Sequence, residues 1–205
     1  MTKIEAKPDD SSGMLKFDIH IHSRHSDGVG TPTEIAKQAK KIGLAGFALT
    51  DHDNMKGLKE AKIAAQNAGV IFIPGIEVTT ISGDILAIGI EELPNTNDAL
   101  ELIDKIKQQG GVAILAHPFA GLWDLSFANL PDIVKRFSAV EIFNAMTHFE
   151  LNMEAIKLAK QLDMTGTAGS DAHPVSEVGA AYTMSKDDDI IGAIRRGEVK
   201  VGWRV

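Results

Sequence analysis

The sequence has 205 residues, 44% of them hydrophobic, which is enough for one domain with a substantial core. It contains no cysteine, which excludes disulfides, thiolate metal sites and cysteine nucleophiles, so a bound metal would need nitrogen and oxygen ligands. The formal net charge of -7 argues against an extended nucleic-acid interface, because such an interface needs many lysines and arginines.

The N-terminal segment is polar. Residues 1–13 end in Asp-Asp-Ser-Ser-Gly and have no sustained apolar period, so we expect a disordered tail followed by one folded domain over residues 14–205. The segment lacks the apolar core of a signal peptide, and no later apolar run approaches the ~20 residues of a membrane span. We therefore expect a cytoplasmic protein that does not bind membranes.

Short apolar runs then alternate with helical patterns. In the first helix Thr31 is the cap, Pro32 lies in the first turn and Glu34 completes a capping box. Further helices are predicted over 57–68, 98–109, 151–162 and 190–196. The strand candidates are Leu15 to Ile21, Leu44 to Thr50, Val70 to Val78, Ile85 to Ile90, Val112 to Ala116, Ala139 to Phe143 and Thr165 to Ala168. Seven strands alternating with helices predict an α/β fold with a parallel sheet that closes as a barrel.

Residues able to bind metal recur at the ends of these strands, which form one face of a parallel barrel. His20 and His22 are two apart on the first strand, so both imidazoles, and Asp18 before them, project to the same side. Asp27 follows in a loop where a turn at Gly28 can bring its carboxylate back to the histidines.

Later strand ends add further nitrogen and oxygen ligands. The candidates are His52 beside Asp51, then Glu77, His117, Asp171 and His173. A single histidine at a strand end is most often structural, but recurrence at several strand ends favours a metal site. Imidazole and carboxylate together suit Zn, Mn or Fe, and also allow Mg.

Three polar residues near this face have more than one interpretation. His25 either binds metal or caps its loop, and His148 is a metal ligand, a phosphate contact or a surface residue. Asn144 ends a strand as the ligands do, but an amide oxygen is a weak zinc ligand, so a supporting or substrate role is an equal alternative.

In the loop from Pro118 to Pro131, the aromatic residues Phe119, Trp123 and Phe127 either cover the site and stack a base or pack on the barrel rim.

The motifs and their order resemble the PHP family, named for polymerase and histidinol phosphatase. The family shares His-x-His, Thr-Asp-His, Gly-x-Glu and Ser-Asp-x-His motifs. Here they read His20-Ile21-His22, Thr50-Asp51-His52, Gly75-Ile76-Glu77 and Ser170-Asp171-Ala172-His173. Ala116-His117-Pro118 matches as well, so the resemblance covers the chain from about Leu15 onward.

The resemblance implies a distorted (β/α)7 barrel with two or three divalent ions at the C-terminal ends of the strands. His20, His22, Glu77 and Asp171 would hold one ion, and Asp27, His52 and His173 a second. Glu77 would bridge to His117 at a third, where many relatives have a histidine and this chain has Asn144, with His148 four residues later.

The implied activity is that of a metal-dependent phosphoric ester hydrolase that uses a metal-activated hydroxide. Arg24 is the candidate phosphate clamp, Asp51 would orient a ligand or shuttle a proton, and His148 is a further catalytic candidate. The expected substrate is small and phosphorylated, of the nucleotide, sugar phosphate or histidinol phosphate type. The alternatives are an inactive or accessory metal-binding module and a nuclease acting on short oligonucleotides.

Overall fold

A computed structural model describes residues 13–80, 82–96, 98–120 and 131–204. Its strands form one nearly closed, barrel-shaped sheet, which confirms the predicted α/β barrel class. The strands are β1 (Leu15–Asp18), β2 (Gly46–Leu49), β3 (Ile71–Thr80), β4 (Gly83–Ile88), β5 (Val112–Leu115), β6 (Ala139–Asn144), β7 (Gly166–Gly169), β8 (Ala181–Ser185) and β9 (Lys200–Trp203). Their order in the sheet is β7-β6-β5-β4-β3-β2-β1-β8-β9.

The sheet is mixed, so the expected parallel arrangement holds for only part of it. β1, β2 and β3 are parallel, as are β5, β6 and β7, but β4 runs antiparallel between β3 and β5. Only two positions separate Thr80 from Gly83, too few for the crossover that a parallel connection requires. β8 and β9, which the sequence did not predict, are also antiparallel.

Side-chain and loop contacts join the two halves of the sheet. The hydroxyl of Thr183 in β8 accepts a hydrogen bond from the Ala168 N–H of β7 and donates one to the Ala168 carbonyl, each over 2.9 Å. Beyond β1, the His22 N–H donates to the Ala172 carbonyl over 2.9 Å. The segments after β1 and β7 are therefore held side by side, and both carry candidate ligands.

The helices cover the outside of the sheet. They are α1 (Pro32–Lys41), α2 (Leu58–Ala68), α3 (Ala99–Gln108), α4 (Pro131–Val134), α5 (Phe149–Gln161) and α6 (Ile190–Arg196). The capping box of α1 is confirmed, with Thr31 and Glu34 bonded reciprocally. The short α4 was not predicted. No helix among the described residues is long and apolar enough to cross a bilayer. The predicted tail, apart from Gly13, lies outside the described residues.

Candidate metal centre

His20 and His22 lie just beyond β1. The prediction that they belong to a strand reaching Ile21 is wrong, because pairing with β2 ends at Asp18. The extended backbone continues, however, and Ile21 makes an isolated bridge to Ala172. Both imidazoles consequently project to one side, as expected, with ring centroids 5.2 Å apart and both rings fully buried.

A first cluster, here called the inner group, comprises His20, His22, Glu77 and Asp171. Glu77 Oε2 lies 3.1 Å from Nε2 of both His20 and His22. Asp171 Oδ1 lies 3.0 Å from His22 Nε2 and 3.4 Å from His20 Nε2. One ligand atom from each residue lies within 4.8 Å of the others, which suits a single ion.

The outer group comprises His22, Asp27, His52 and His173. Asp27 Oδ2 lies 3.1 Å from His173 Nε2 and 3.6 Å from His52 Nε2. The His22 ring stacks on both other imidazoles, with centroid distances of 4.6 Å to His52 and 4.5 Å to His173. Asp27 is half exposed, so this group faces solvent and is accessible to a substrate.

The third group comprises Glu77, Asp84 and His117. Glu77 Oε1 lies 3.0 Å from His117 Nε2, so the two oxygens of Glu77 face different groups. Asp84 was missed because its strand was expected to be parallel, which would place its first residues at the opposite end of the barrel. The short connection between Thr80 and Gly83 was the available signal, since a hairpin returns Asp84 to the face occupied by Glu77.

Buried nitrogen atoms provide a direct test of whether this centre fits metal ions. Neither ring nitrogen of His22 makes a hydrogen bond, although Nε2 lies only 3.0 Å from Asp171 Oδ1. Buried polar atoms are nearly always satisfied, and a nitrogen oriented toward a shared point among carboxylates is arranged as a metal ligand is. The donor set, imidazole nitrogen and carboxylate oxygen, therefore fits divalent cations.

The electrostatics of the inner group agree with this assignment. Burial alone would lower the pKa of His20, but Glu77, Asp171 and Glu141 outweigh it and raise the pKa well above its ordinary value. In the same way, Asp171 and Glu77 outweigh burial and raise the pKa of His22 to about 9. Burial raises the pKa of Glu77, but His20, His117 and His22 outweigh it and hold the pKa well below its usual value. Without metal, protons on the histidines balance the carboxylates.

The backbone is strained at two candidate ligands and anchored beside one of them. Asp171 and His117 are both non-glycine residues at positive φ, 54° and 21°, which marks local strain at these positions. Asp18, fully buried, accepts hydrogen bonds from the N–H groups of Ser170 and Gly179 over 3.0 and 2.7 Å. Burial raises its pKa to about 6. Asp18 therefore anchors the loop that carries Asp171 rather than facing the metal groups.

The three catalytic candidates lie outside the metal groups found among the described residues. Asp51 accepts hydrogen bonds from Ser23 and Ser26 over 2.7 to 2.8 Å, so it holds the loop that leads to Asp27. Arg24 is half exposed and pairs with Glu60 at 3.3 Å. His148 is exposed at the start of α5. Their catalytic roles stay predictions.

Two remaining sequence candidates have structural contacts. His25 Nε2 lies 3.1 Å from Glu60 Oε2, which favours the loop-stabilising interpretation. In the aromatic loop, Phe119 packs partly buried against the core, but Trp123 and Phe127 lie outside the described residues.

Asn144 and Glu141 form a buried layer behind the ligands. Asn144 Nδ2 donates to Glu141 Oε2 over 3.1 Å and to Asp171 Oδ2 over 3.2 Å. Its Oδ1 accepts from the Met146 N–H over 2.9 Å. These contacts support the second of the two roles expected for Asn144, contact with a ligand rather than with metal. Glu141 was missed because it lies within a strand and not at the strand end.

Comparison with protein families gives two matches. A family described as "PHP domain" matches residues 18–116, and one described as "PHP-associated" matches residues 149–199. An uncharacterized protein of Methanocaldococcus jannaschii is 34% identical over 143 residues, which is 64% of this chain and 82% of that protein. A two-domain protein from Bacteroides vulgatus, said to contain a "predicted PHP-like metal-dependent phosphoesterase", has the same fold. Its TM-score is 0.77 at 20% identity, covering all of this chain and 70% of the other.

Several relatives have named activities, among them a phosphatase and an exoribonuclease. A 3',5'-nucleoside bisphosphate phosphatase of Chromobacterium violaceum is 35% identical over 134 residues, 60% of this chain and 47% of that enzyme. A 5'-3' exoribonuclease of Haemophilus influenzae is 46% identical over 65 residues, 32% of this chain and 24% of that enzyme. The chain spans less than half of either enzyme.

Proposed function

Because the chain belongs to the PHP family, we propose that it is a metal-dependent phosphoesterase that hydrolyses a small phosphorylated substrate. The observation that carries this proposal is the convergence of the inner, outer and third groups, which share His22 and Glu77. Sharing ligands brings adjacent ions close together, as in two-metal phosphoesterases, where the ions lie ~4 Å apart.

The proposed roles of the ligands follow their grouping. His20, His22, Glu77 and Asp171 would hold one ion, Asp27, His52 and His173 with His22 a second, and Glu77, Asp84 and His117 a third. When bound, divalent ions supply an activated water and neutralise the charge that develops on phosphorus. The half-exposed outer group would receive the substrate, while the inner group is enclosed by protein.

We assign the polar residues around the groups to positioning and substrate contact. Asp51 fixes the loop of Ser23 and Ser26, and thereby the position of Asp27. Arg24 lies in this loop and would contact a phosphate after its guanidinium leaves Glu60, and His148 offers an exposed imidazole at the start of α5.

The preferred substrate class is a compact mono- or bisphosphorylated metabolite. The bisphosphate phosphatase relative supports this class, and so does the net charge of -7, which disfavours long polyanions. A nuclease is the second candidate, favoured by the shorter match to an exoribonuclease. An accessory module without activity is a third, and it would require the ligand groups to bind metal without turnover.

The test is metal analysis followed by a substrate screen. We expect at least two divalent ions per chain after reconstitution with zinc or manganese. The two oxygens of Glu77 face different groups, and a single ion cannot bind to the ligands of both groups. The loaded protein should then release phosphate from one or more of nucleoside bisphosphates, sugar phosphates and histidinol phosphate. One ion or none would contradict the metal assignment. Full loading without hydrolysis of any phosphate ester would favour the accessory module.

A further inference from the structure

Glu141 is a buried carboxylate that belongs to none of the three metal groups yet contacts two of them. It lies in β6 and is 1% exposed. Glu141 Oε1 lies 3.0 Å from His20 Nδ1, and Oε2 accepts the backbone N–H of His117 over 2.9 Å. Its contacts with His20 and His117 connect the inner group with the third group.

The contact with His20 determines which nitrogen faces the metal. An ionised carboxylate accepts hydrogen bonds and cannot donate them, so when His20 is neutral, as a metal ligand must be, its ring proton is held on Nδ1. Nε2 then presents its lone pair toward Glu77 and Asp171, where an ion of the inner group would bind. Glu141 therefore selects the tautomer that leaves Nε2 free to bind an ion.

The second oxygen of Glu141 supports two further ligands. It holds the backbone of His117, a residue at positive φ that needs support from its surroundings. It also accepts the Asn144 amide, whose second contact is Asp171 Oδ2 at 3.2 Å. One carboxylate therefore bonds directly or through Asn144 to His20, His117 and Asp171. Among the described contacts, Glu141 makes no hydrogen bond with Asp27, His52 or His173.

We propose that Glu141 is a positioning residue that aligns His20, His117 and, through Asn144, Asp171 for metal binding, so that it controls the inner and third groups but not the outer group. This inference rests on the proposed metal centre. It predicts a selective loss of ions, which a general loss of stability would not produce.

Glu141→Gln tests this selectivity. The amide has one acceptor oxygen and one donor nitrogen, so it cannot accept from His20 on one side and from His117 and Asn144 on the other. Zinc affinity of the inner and third groups should fall about 10- to 100-fold, as is typical when the partner of a metal ligand is lost. Zinc binding is measured by chelator competition. Nitrogen NMR of the histidine rings follows each group separately, and His20 should lose its single Nδ1–H tautomer while His52 and His173 keep their metal-bound signals.

Thr167→Val is the matched control. Thr167 lies opposite Glu141 on β7 and is equally buried, and its one side-chain hydrogen bond among the described residues is donated to the Val140 carbonyl, so this change should alter stability and leave zinc affinity within about twofold of wild type. If Glu141→Gln does not fold, Glu141→Asp keeps the charge, withdraws the oxygens from His20 and should weaken the same two groups.

Three outcomes would overturn the proposal. Wild-type zinc affinity in both Glu141 variants would show that metal binding does not need Glu141 to align His20 and His117. Equal loss of metal from the outer group would show a general structural effect. A wild-type protein that binds no zinc at all would refute the metal centre itself, which distinguishes that failure from a failure of Glu141 alone.

Discussion

At the scale of single residues, two candidate ligands, Glu77 and His22, each belong to two of the three metal groups. Glu77 directs one oxygen toward His20 and His22 and the other toward His117, and it is almost completely buried. His22 lies between the inner and outer groups and stacks against two other imidazoles. Because these two residues each belong to two groups, ions bound in adjacent groups would lie close together.

His52 and His173 are the ligands whose removal should separate activity from folding. Each is only partly buried, so His52→Ala or His173→Ala should change the unfolding free energy by no more than about 1 kcal/mol. Turnover should fall on the order of 100-fold or more, since loss of even an indirect partner of a ligand costs 10–100-fold. Urea unfolding and kcat/KM on the best substrate measure the two effects. His25→Ala, outside the metal groups, is the control, and a His52→Ala enzyme with wild-type turnover at saturating metal would contradict the outer group.

Metal binding should release protons and strengthen as pH rises. The pKa of His22 is about 9 without metal, because Asp171 and Glu77 outweigh the effect of burial, while a ligand must be neutral. Apparent affinity should therefore rise about tenfold per pH unit for each displaced proton and level off only near pH 9. Anaerobic manganese titrations in two buffers of different ionisation enthalpy give both affinity and proton count. Affinity that levels off near pH 6.5, the ordinary histidine value, would show that these carboxylates do not control His22.

At the scale of elements, the strand ends were predictable and the strand directions were not. His20, His22, Asp171 and the other candidate ligands at strand ends could be predicted from residue type and position alone, because polar residues after apolar runs are conspicuous, and the fold brings them together. Asp84 and Glu141 were missed for two different reasons. Asp84 depends on β4 running antiparallel, and Glu141 depends on which face of β6 meets His20, and neither property appears in a local pattern.

β8 and β9 were missed because their sequences are poor strand signals. Ala181–Ser185 and Lys200–Trp203 are short, and glycine or small polar residues interrupt them. β8 forms by pairing with β1, and β9 forms by pairing with β8; the contact between β8 and β1 joins distant parts of the chain. These two strands therefore depend on tertiary pairing rather than on local strand propensity.

The end of β7 has no room for a side chain beside the inner group. A Cβ at Gly169 would overlap His20 Cβ and approach Glu141 Oε1 to 2.9 Å. Gly169→Ala should therefore displace His20, weaken zinc binding by the inner group and cost about 1–3 kcal/mol of stability. For Gly166→Ala in the same strand, the three atoms nearest to the added Cβ all belong to the side chain of Ile142, so this change should cost stability without lowering zinc affinity. Equal zinc affinity in the two variants would show that the contact with His20 is unimportant.

At the scale of the whole molecule, the net negative charge of the chain and the positive charge of bound metal ions would have opposite effects on a phosphorylated substrate. The chain has 28 acidic and 21 basic residues, giving the net charge of -7, yet bound divalent ions would make the strand-end face locally positive. A phosphate group close to the ions would be attracted, while negative charge farther away would meet an acidic surface. The balance between these effects depends on the length of the substrate.

This balance predicts that a terminal phosphate on a small substrate is preferred over a long single strand. Additional phosphates beyond the ions would be repelled, and salt would screen the repulsion without creating specific contacts. The sequence positions of the ligands agree, since 39 residues separate Glu77 from His117, and β4, α3 and β5 use much of that length. We would compare kcat/KM for nucleoside bisphosphates, sugar phosphates, histidinol phosphate and a labelled oligonucleotide at physiological salt, with the metal-free protein as the blank. The small esters should be better substrates. An oligonucleotide favoured by more than about tenfold, or ~1.4 kcal/mol in transition-state binding, would instead support the nuclease.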